Sequence, residues 1–190
     1  FTVFLDGKEK KDFAPKIREF FNRIEKYMPF INDYSFEVNT QNSFPHSSGI
    51  ASSASGMSAL SLCLMSLQKT IDVHMTEEAF YEKASFLARL GSGSASRSIE
   101  GPLVVWGQHP DITGSSDQFG IRYPGDIHPI FTTFNDTILL VDKGVKQVSS
   151  TVGHNLMIGH PFAEARFAQA QENMSRLMPI LKKGDLEGFI

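Results

Sequence analysis

The chain has 190 residues, of which 41% are hydrophobic and 21% are charged, and its net charge is −3 at pH 7. This composition is typical of a globular protein, and the slightly acidic balance excludes the broad basic surface that nucleic-acid partners require. A single cysteine excludes an internal disulfide framework and a cysteine-rich zinc site. No apolar run is long enough to span a bilayer and no signal-peptide pattern is visible, so we expect a cytoplasmic protein without a membrane partner.

The beginning of the chain predicts a strand followed by a helix. Phe1–Leu5 has the pattern of a strand, and Asp6-Gly7 is typical of the turn that leaves one. Apolar residues at helical spacing predict a helix over 13–28, with Asp12 as its cap and Pro29 as its end. The basic side chains of this helix are expected on a solvated face: Lys16, Arg18, Arg23 and Lys26.

A loop rich in glycine and serine joins the second strand to the second helix. Ser35–Thr40 alternates apolar and polar residues as a strand does, and Ser52–Lys69 has a helical pattern. Residues 42–56 read NSFPHSSGIASSASG, so several backbone N–H groups can point into one small volume. A helix N-terminus carries unpaired N–H donors and a partial positive charge. The sequence therefore predicts a phosphate-binding loop.

Individual residues of this loop suit the same task. Pro45 stiffens its entry, and Gly49 permits a positive φ or a close approach of the backbone. Ser52 and Ser53 place hydroxyls in the first helical turn, where they either cap the helix or face a phosphate or its metal ion. The loop lacks both the Gly-Lys-Ser/Thr of a P-loop and the GxGxxG spacing of dinucleotide folds. A flexible connector is the alternative interpretation.

A second turn of small residues holds a single arginine. Residues 91–98 read GSGSASRS, and Arg97 carries a planar fork of donors suited to a carboxylate or a phosphate. Together with the hydroxyls of Ser92 and Ser94, it predicts a compact anion receptor. The alternative is a capping loop in which Arg97 forms an ion pair with Glu100.

The remaining pattern mixes helices and strands, which predicts an α+β fold without repeats. We expect Cys63, which lies among apolar residues of the second helix, to be a buried structural thiol. The other elements expected are a helix over Glu77–Leu90 capped by Thr76 and ended by Gly91, a strand over Leu103–Trp106, loops and short strands over 107–136, a strand over Thr137–Val141 and a helix from Pro161 to about Lys183. Packing positions expected in the last helix are Phe162, Ala165, Phe167, Met174, Leu177 and Leu181.

The six histidines predict no metal centre built from side chains. None of them is paired with another at the i, i+4 spacing beside an acid that helical zinc sites use. His46 lies in the first loop, where it could face a phosphate, and a solvated loop histidine is the alternative.

The two loops together resemble a known family. Pro45–Ala54 resembles the phosphate-binding motif of the GHMP superfamily of small-molecule kinases. Asn42–Pro45 and Gly91–Ser98 narrow the resemblance to the mevalonate diphosphate decarboxylases. The similarity extends from Leu5 to about Gly153, and more loosely to the end of the chain.

This resemblance implies a two-domain GHMP fold with a nucleotide cleft between the domains. Residues 1–153 would form the nucleotide- and substrate-binding N-terminal domain without its first strands, and residues 154–190 would begin the C-terminal domain. The chain is therefore expected to be an internal portion of a longer enzyme, with little or no activity by itself. The catalytic aspartate of the family is expected beyond Ile190.

The resemblance also assigns roles to residues. Arg97 would engage the substrate carboxylate as a catalytic residue. ATP would be bound by Pro45, His46, Ser47, Ser48, Gly49, Ala51, Ser52 and Ser53. The substrate diphosphate compound would be bound by Ser92, Gly93, Ser94, Ala95, Ser96, Arg97 and Thr151.

The activity implied is ATP-dependent decarboxylation of mevalonate 5-diphosphate to isopentenyl diphosphate, with ATP and Mg²⁺ as cofactors. One alternative is a kinase of the same superfamily that phosphorylates mevalonate or a phosphomevalonate without decarboxylation. A more distant alternative is a non-catalytic relative that binds a ligand. The oligomeric state stays open, with a homodimer as one option.

Overall fold

Helices and two small sheets make up the part of the chain that the structure describes, which confirms the α+β class. The computed structural model describes residues 1–44, 50–139, 153 and 156–190. Contacts divide the chain into two compact units. The first unit is Phe1–Gln108 with Gly114–Arg122, and the second is His109–Thr113 with Tyr123–Ile190. The division into domains at residue 153 stays a prediction.

β1 (Thr2–Leu5) is the central strand of a three-stranded sheet. Asp6 and Gly7 both have positive φ, at 52° and 74°, and turn the chain into the antiparallel strand β2 (Lys8–Glu9), so the predicted turn is confirmed. β3 (Glu37–Thr40) pairs with β1 in parallel. The parallel pairing requires a crossover between β1 and β3, and the first helix lies in that connection.

α1 (Ala14–Ile24) begins without the predicted cap. Phe13 occupies the N-cap position and makes no side-chain hydrogen bond, so the prediction of Asp12 as the cap is wrong. The physical reason is a backbone turn that leads directly into the helix. The N–H of Phe13 donates to the carbonyl of Lys10 at 3.1 Å, and the N–H of Ala14 donates to that of Lys11 at 3.3 Å.

α1 also ends earlier than predicted. After Ile24 the chain tightens into a 3₁₀ helix over Glu25–Tyr27, and Met28 leaves helical geometry with φ −140° and ψ 62°. Met28 precedes Pro29, whose ring disfavours the helical conformation of the preceding residue.

Two longer helices follow, α2 (Ser52–Ile71) and α3 (Glu77–Gly91). The side chain of Thr76 accepts a hydrogen bond from the N–H of Ala79 at 3.2 Å, which confirms the predicted cap. β4 (Val104–Trp106) pairs with β5 (Gly120–Arg122) in an antiparallel ladder. Further 3₁₀ helices cover Pro29–Asp33, Gly93–Ser98 and Pro129–Thr133.

The core of the first unit is formed by α1, α2, α3 and the first sheet. Burial of these apolar side chains is the main stabilising term for the unit. Its members are Val3, Ile17, Phe20, Ile24, Met28, Ile31, Ala54, Met57, Leu64, Met65, Ala84, Leu87, Ala88 and Ala95.

Cys63 is exposed, so the prediction of a buried thiol is wrong. The buried residues of α2 recur at helical spacing and form a stripe along one face of the helix. Cys63 lies outside that stripe. Apolar residues surround most of this helix, so the sequence pattern alone does not reveal which face is buried. The buried stripe consists of Ala54, Met57, Ser58, Ser61, Leu64 and Met65.

The second unit contains α4 (Ala163–Lys183) and a final turn, α5 (Leu186–Phe189). Pro161 precedes the helix by two residues, close to the predicted start. Gly184 ends α4 with φ 76°, and its N–H donates to the carbonyl of Ile180 at 3.0 Å. Positive φ at this position favours glycine, as at many helix C-termini.

Three of the packing positions expected in α4 are wrong. Leu181 is buried, and Met174 and Leu177 are half-buried. Phe162, Ala165 and Phe167 are exposed, with 56% of Phe167 accessible, so these three positions do not lie on the buried face of the helix.

The predicted strand over Thr137–Val141 is wrong for its described part. Residues 137–139 form no strand, because no described strand pairs with them, and Ile138 and Leu139 are exposed. Residues 140 and 141 lie outside the described ranges. Within those ranges, every helix is too short or too polar to cross a lipid bilayer.

Replacing the N-cap residue of α3 tests how much the side chain of Thr76 stabilises this helix. Thr76→Ala removes the acceptor for the N–H of Ala79, and we expect a loss of about 1 kcal/mol in the free energy of unfolding. Urea denaturation measures the loss. Thr76→Ser keeps the hydroxyl and should stay close to the parent protein, and equal losses in both variants would contradict the capping role.

Candidate functional site

The N-terminus of α2 begins in an unusual backbone conformation. Ala51 has φ 61° and ψ 27°, in the left-handed region, which is uncommon for a residue other than glycine. Its carbonyl accepts the first helical hydrogen bond from the N–H of Ala54 at 2.9 Å. The N-cap offers no side-chain acceptor and the first turn contains no acidic residue. The positive end of this helix is therefore not neutralised by the side chains of its own first turn.

A lysine from α1 adds a positive charge at this helix end. The ammonium group of Lys16 donates a hydrogen bond to the hydroxyl of Ser53 in the first turn of α2. Lys16 was predicted on a solvated face. The residue is exposed as a whole, but its charged end lies against α2. Helix dipole and ammonium group together favour an anion at this place.

The environment of Lys16 shifts its titration. Partial burial lowers the pKa of Lys16 below the ordinary value for lysine, because it disfavours the charged form. The nearby carboxylate of Glu19 acts in the opposite direction and is the smaller effect. An anion bound beside the ammonium group would stabilise its charged form and so offset the effect of burial on the pKa of Lys16.

Part of the predicted nucleotide loop lies outside the described residues. This applies to Pro45, His46, Ser47, Ser48 and Gly49, and also to the predicted substrate residue Thr151. The described members of the predicted ATP-binding set are Ala51, which is exposed, and Ser52 and Ser53, which are half-buried in the first turn of α2.

The second predicted turn is a 3₁₀ helix over Gly93–Ser98 that follows α3. Ser92 and Ser94 are half-buried, and Gly93 is exposed. Ala95 and Ser96 are fully buried, so these two side chains lie under the turn and are not at its surface. The hydroxyl of Ser96 donates to the carbonyl of Gly93 at 2.9 Å, inside the same turn.

Arg97 is exposed at the end of this turn. Among the described residues it forms no hydrogen bond and no ion pair, and so the alternative of an ion pair with Glu100 is not observed. With no partner in the described part of the chain, this guanidinium is available for a planar anion.

The indole ring of Trp106 lies beside the 3₁₀ turn at Gly93. A Cβ atom placed on Gly93 would lie 3.2 Å from Cη2 of the indole ring. The indole N–H donates to the carbonyl of Asp117 at 3.1 Å, which fixes the ring. Arg89 fixes the same chain segment, because its Nε donates to the carbonyl of Gln118 at 2.7 Å.

The turn that carries Arg97 begins where α3 packs against α2. A Cβ atom on Gly91 would lie 2.6 Å from Sδ of Met57 and 3.0 Å from Cδ2 of Phe20. Met57 is five residues after Ser52, so this contact lies roughly 8 Å along the helix axis from the first turn. The turn that carries Arg97 therefore starts close to the helix end that carries Ser52 and Ser53.

Sequence reasoning missed several groups that build this site. Arg23 is exposed, as predicted, and in addition it donates to the carbonyl of Leu90 at 2.8 Å, at the last turn of α3. Lys16 was not identified as part of the site. Neither was Ser85 of α3, whose hydroxyl donates to the carbonyl of Ser96 at 2.8 Å. No local pattern marks them, since their partners are 37 and 11 residues away along the chain.

No metal centre made of side chains is found in the residues that the structure describes. No group of three or more His, Cys, Asp or Glu side chains comes together there. His109 is buried, but its ring nitrogens lie beside the carbonyl of Gln171 and the N–H of Asp111.

The chain matches a known family over most of its first unit. Residues 2–118 match the family model of the diphosphomevalonate decarboxylase-like N-terminal domain. A diphosphomevalonate decarboxylase from Ganoderma lucidum is 36% identical over 132 residues, which cover 66% of this chain and 29% of that protein.

Solved structures agree on the fold. A mevalonate diphosphate decarboxylase from Legionella pneumophila superposes with a TM-score of 0.69 at 24% identity and covers 98% of this chain and 56% of its own. The enzyme from Enterococcus faecalis, studied for mevalonate diphosphate mediated ATP binding, gives a TM-score of 0.67 at 24% identity. It covers 98% of this chain and 53% of its own. The chain thus spans about half of these structures and less than half of the curated relatives.

Two glycine substitutions test the close approach of α3 to α2. In Gly91→Ala, the new methyl group meets Met57 and Phe20, and the repacking should cost about 1–3 kcal/mol in the free energy of unfolding. Gly56→Ala is the matched control. Its Cβ meets no atom within 4 Å, so removing a glycine from a helix interior should add about 0.5–1 kcal/mol.

Chemical denaturation of both variants measures the two effects. Equal or greater stability of Gly91→Ala than of the parent protein would contradict the tight contact.

Proposed function

Since the chain belongs to the diphosphomevalonate decarboxylase-like family, we propose that it forms the nucleotide- and substrate-binding part of an enzyme that decarboxylates mevalonate 5-diphosphate with ATP. The product is isopentenyl diphosphate. The observation that carries the proposal is the exposed guanidinium of Arg97, which has no partner among the described residues and lies on a turn that begins near the positive end of α2.

The start of α2 suits the phosphates of ATP. Its positive N-terminus has no side-chain cap, and the ammonium group of Lys16 lies at Ser53. We assign ATP binding to Lys16 in addition to the residues predicted from the sequence: Pro45, His46, Ser47, Ser48, Gly49, Ala51, Ser52 and Ser53. ATP binding is named for the Enterococcus faecalis relative, which supports this assignment.

When bound, ATP supplies the phosphoryl group that turns the tertiary hydroxyl of the substrate into a leaving group. The residues of this chain bind and orient the partners of that step. Lys16 and the backbone N–H groups of α2 would offset phosphate charge, and Ser92, Ser94 and Arg97 would hold the substrate. Thr151 is retained as a proposed contact to the substrate diphosphate.

Arg97 would act mainly by orientation. The carboxylate loses its charge as carbon dioxide forms, so an ion pair to it does not by itself lower the barrier. A bidentate guanidinium instead fixes the plane of the carboxylate, which aligns the breaking carbon–carbon bond with the departing phosphate. Lysine cannot make the same planar contact.

Some assignments rest on the sequence and the family resemblance alone. They are Mg²⁺ as the counter-ion of ATP, a homodimer as the assembly and the cytoplasm as the location. Mg²⁺ usually keeps several waters and binds substrate phosphates with one or two carboxylates, so the site requires no cage of side chains. The division into residues 1–153 and 154–190 belongs to the same proposal.

Arg97→Lys tests the carboxylate contact. We expect kcat/KM of the full-length protein to fall by about 30- to 900-fold, which corresponds to about 2–4 kcal/mol. Release of carbon dioxide from mevalonate 5-diphosphate is the measurement. Arg122→Lys, at an exposed arginine of β5, is the control and should leave the rate unchanged.

Three results would contradict the proposal in different ways. An unaffected rate in Arg97→Lys would remove the arginine from the reaction. ADP formation without carbon dioxide would indicate a kinase. No ATP binding by the folded full-length protein would indicate a ligand-binding relative without catalysis.

Lys16 predicts a pH dependence of ATP binding. A bound phosphate favours the charged ammonium and raises the lowered pKa of Lys16, so binding takes up protons at alkaline pH. The affinity for ATP should therefore fall as pH rises through that pKa. Calorimetry in buffers of different ionisation enthalpy measures the proton uptake, and Lys16→Met should abolish this part of it. An identical pH slope in Lys16→Met would contradict the contact.

A further inference from the structure

Ser85 is a buried hydroxyl at the joint of three elements. It lies in α3, and only 1% of its surface is accessible. Its Oγ donates to the carbonyl of Ser96 at 2.8 Å and accepts the N–H of Gly120 at 2.8 Å. One side chain thereby connects α3 to the 3₁₀ turn and to β5.

The acceptor of this hydrogen bond belongs to the residue before Arg97. The carbonyl of Ser96 is part of the peptide bond that leads to Arg97, so holding this oxygen fixes the plane from which the arginine side chain departs. The hydroxyl of Ser96 makes a second tie, to the carbonyl of Gly93. Arg97 itself has no partner among the described residues, and so only its backbone and its neighbours set its position.

β5 lies close to the same carbonyl on another side. A Cβ atom on Gly120 would lie 3.0 Å from the carbonyl oxygen of Ser96 and 2.8 Å from Cγ1 of Val104. Glycine is therefore required at this point by the close approach of two backbones. Ser85 and Gly120 together leave the carbonyl of Ser96 little freedom to move.

We propose that Ser85 is a positioning residue for Arg97, because its hydroxyl holds the peptide group that carries the arginine. The inference rests on the proposed role of Arg97 in binding the substrate carboxylate. Ser85 does not touch substrate. It limits the directions in which the guanidinium can reach, and such limits decide how often a bound carboxylate is held in a reactive orientation.

A serine on the neighbouring helix provides a matched control. Ser61 of α2 is fully buried, and its hydroxyl has no hydrogen-bond partner among the residues that the structure describes. Ser61→Ala and Ser85→Ala remove the same atom from equally buried sites. Only Ser85→Ala also removes the tie to the turn of Arg97.

The experiment compares these variants in the full-length protein. We expect Ser85→Ala to lower kcat/KM for mevalonate 5-diphosphate by about 10- to 100-fold, since a small misplacement of a catalytic group has effects of this size. ATP affinity by calorimetry should be unchanged, and Ser61→Ala should keep the parent rate. Equal activity of Ser85→Ala and Ser61→Ala would overturn the proposal.

A double-mutant cycle separates positioning from general destabilisation. If Ser85 acts through Arg97, then Ser85→Ala should have little further effect in the Arg97→Ala background. Additive losses in kcat/KM would overturn the positioning role while leaving the proposed function intact. Full activity of Arg97→Ala alone would instead overturn the proposed role of Arg97.

Two further variants keep the test decisive if Ser85→Ala does not fold. Ser85→Thr retains the hydroxyl and should recover most of the lost rate. Gly120→Ala displaces the carbonyl of Ser96 from the other side, and it should show the same non-additivity with Arg97→Ala. Additive behaviour of Gly120→Ala with Arg97→Ala would also overturn the proposal.

Discussion

The close approach of α3 to α2 at Gly91 is the constraint on which the site depends. A side chain at this position would meet Sδ of Met57 and the ring of Phe20, both of which belong to the core. Both side chains are buried, so an added Cβ atom would require them to repack. The end of α3 is thus held against the second turn of α2, and the turn that carries Arg97 begins near the start of α2 for that reason. Packing of core side chains therefore sets the distance between the end of α3 and the start of α2.

The turn after α3 combines a rigid backbone with a free side chain. Arg23 holds the carbonyl of Leu90, Ser85 holds that of Ser96, and Trp106 lies against Gly93. Arg97, in contrast, is exposed and has no partner in the described part of the chain. A supported backbone allows one side chain to remain unpaired without loss of order around it. This arrangement leaves the full hydrogen-bonding capacity of the guanidinium for a ligand.

Local chemistry explains what the sequence predicts well. The turn at Asp6 and Gly7 and the cap at Thr76 depend on residues close in the chain, and both are confirmed. The family resemblance likewise depends on two short motifs, and the match over residues 2–118 confirms it.

Long-range packing explains what the sequence predicts poorly. The contact of Lys16 with Ser53 joins different helices, and no periodic pattern encodes it. Cys63 and Phe167 have the right residue type for burial, but burial depends on what lies opposite, which a single sequence does not state. The ligand contacts of the individual loop residues stay predictions for the same reason.

The backbone conformation of Ala51 has a consequence for the end of the predicted nucleotide loop, where α2 begins. Its left-handed backbone costs about 1 kcal/mol more for alanine than for glycine. Glycine at this point would relieve that strain, but it would also allow many more backbone conformations in the unliganded protein. Alanine lowers the stability relative to glycine but restricts this residue to fewer conformations, so the backbone at the start of α2 is narrowly defined before any ligand binds.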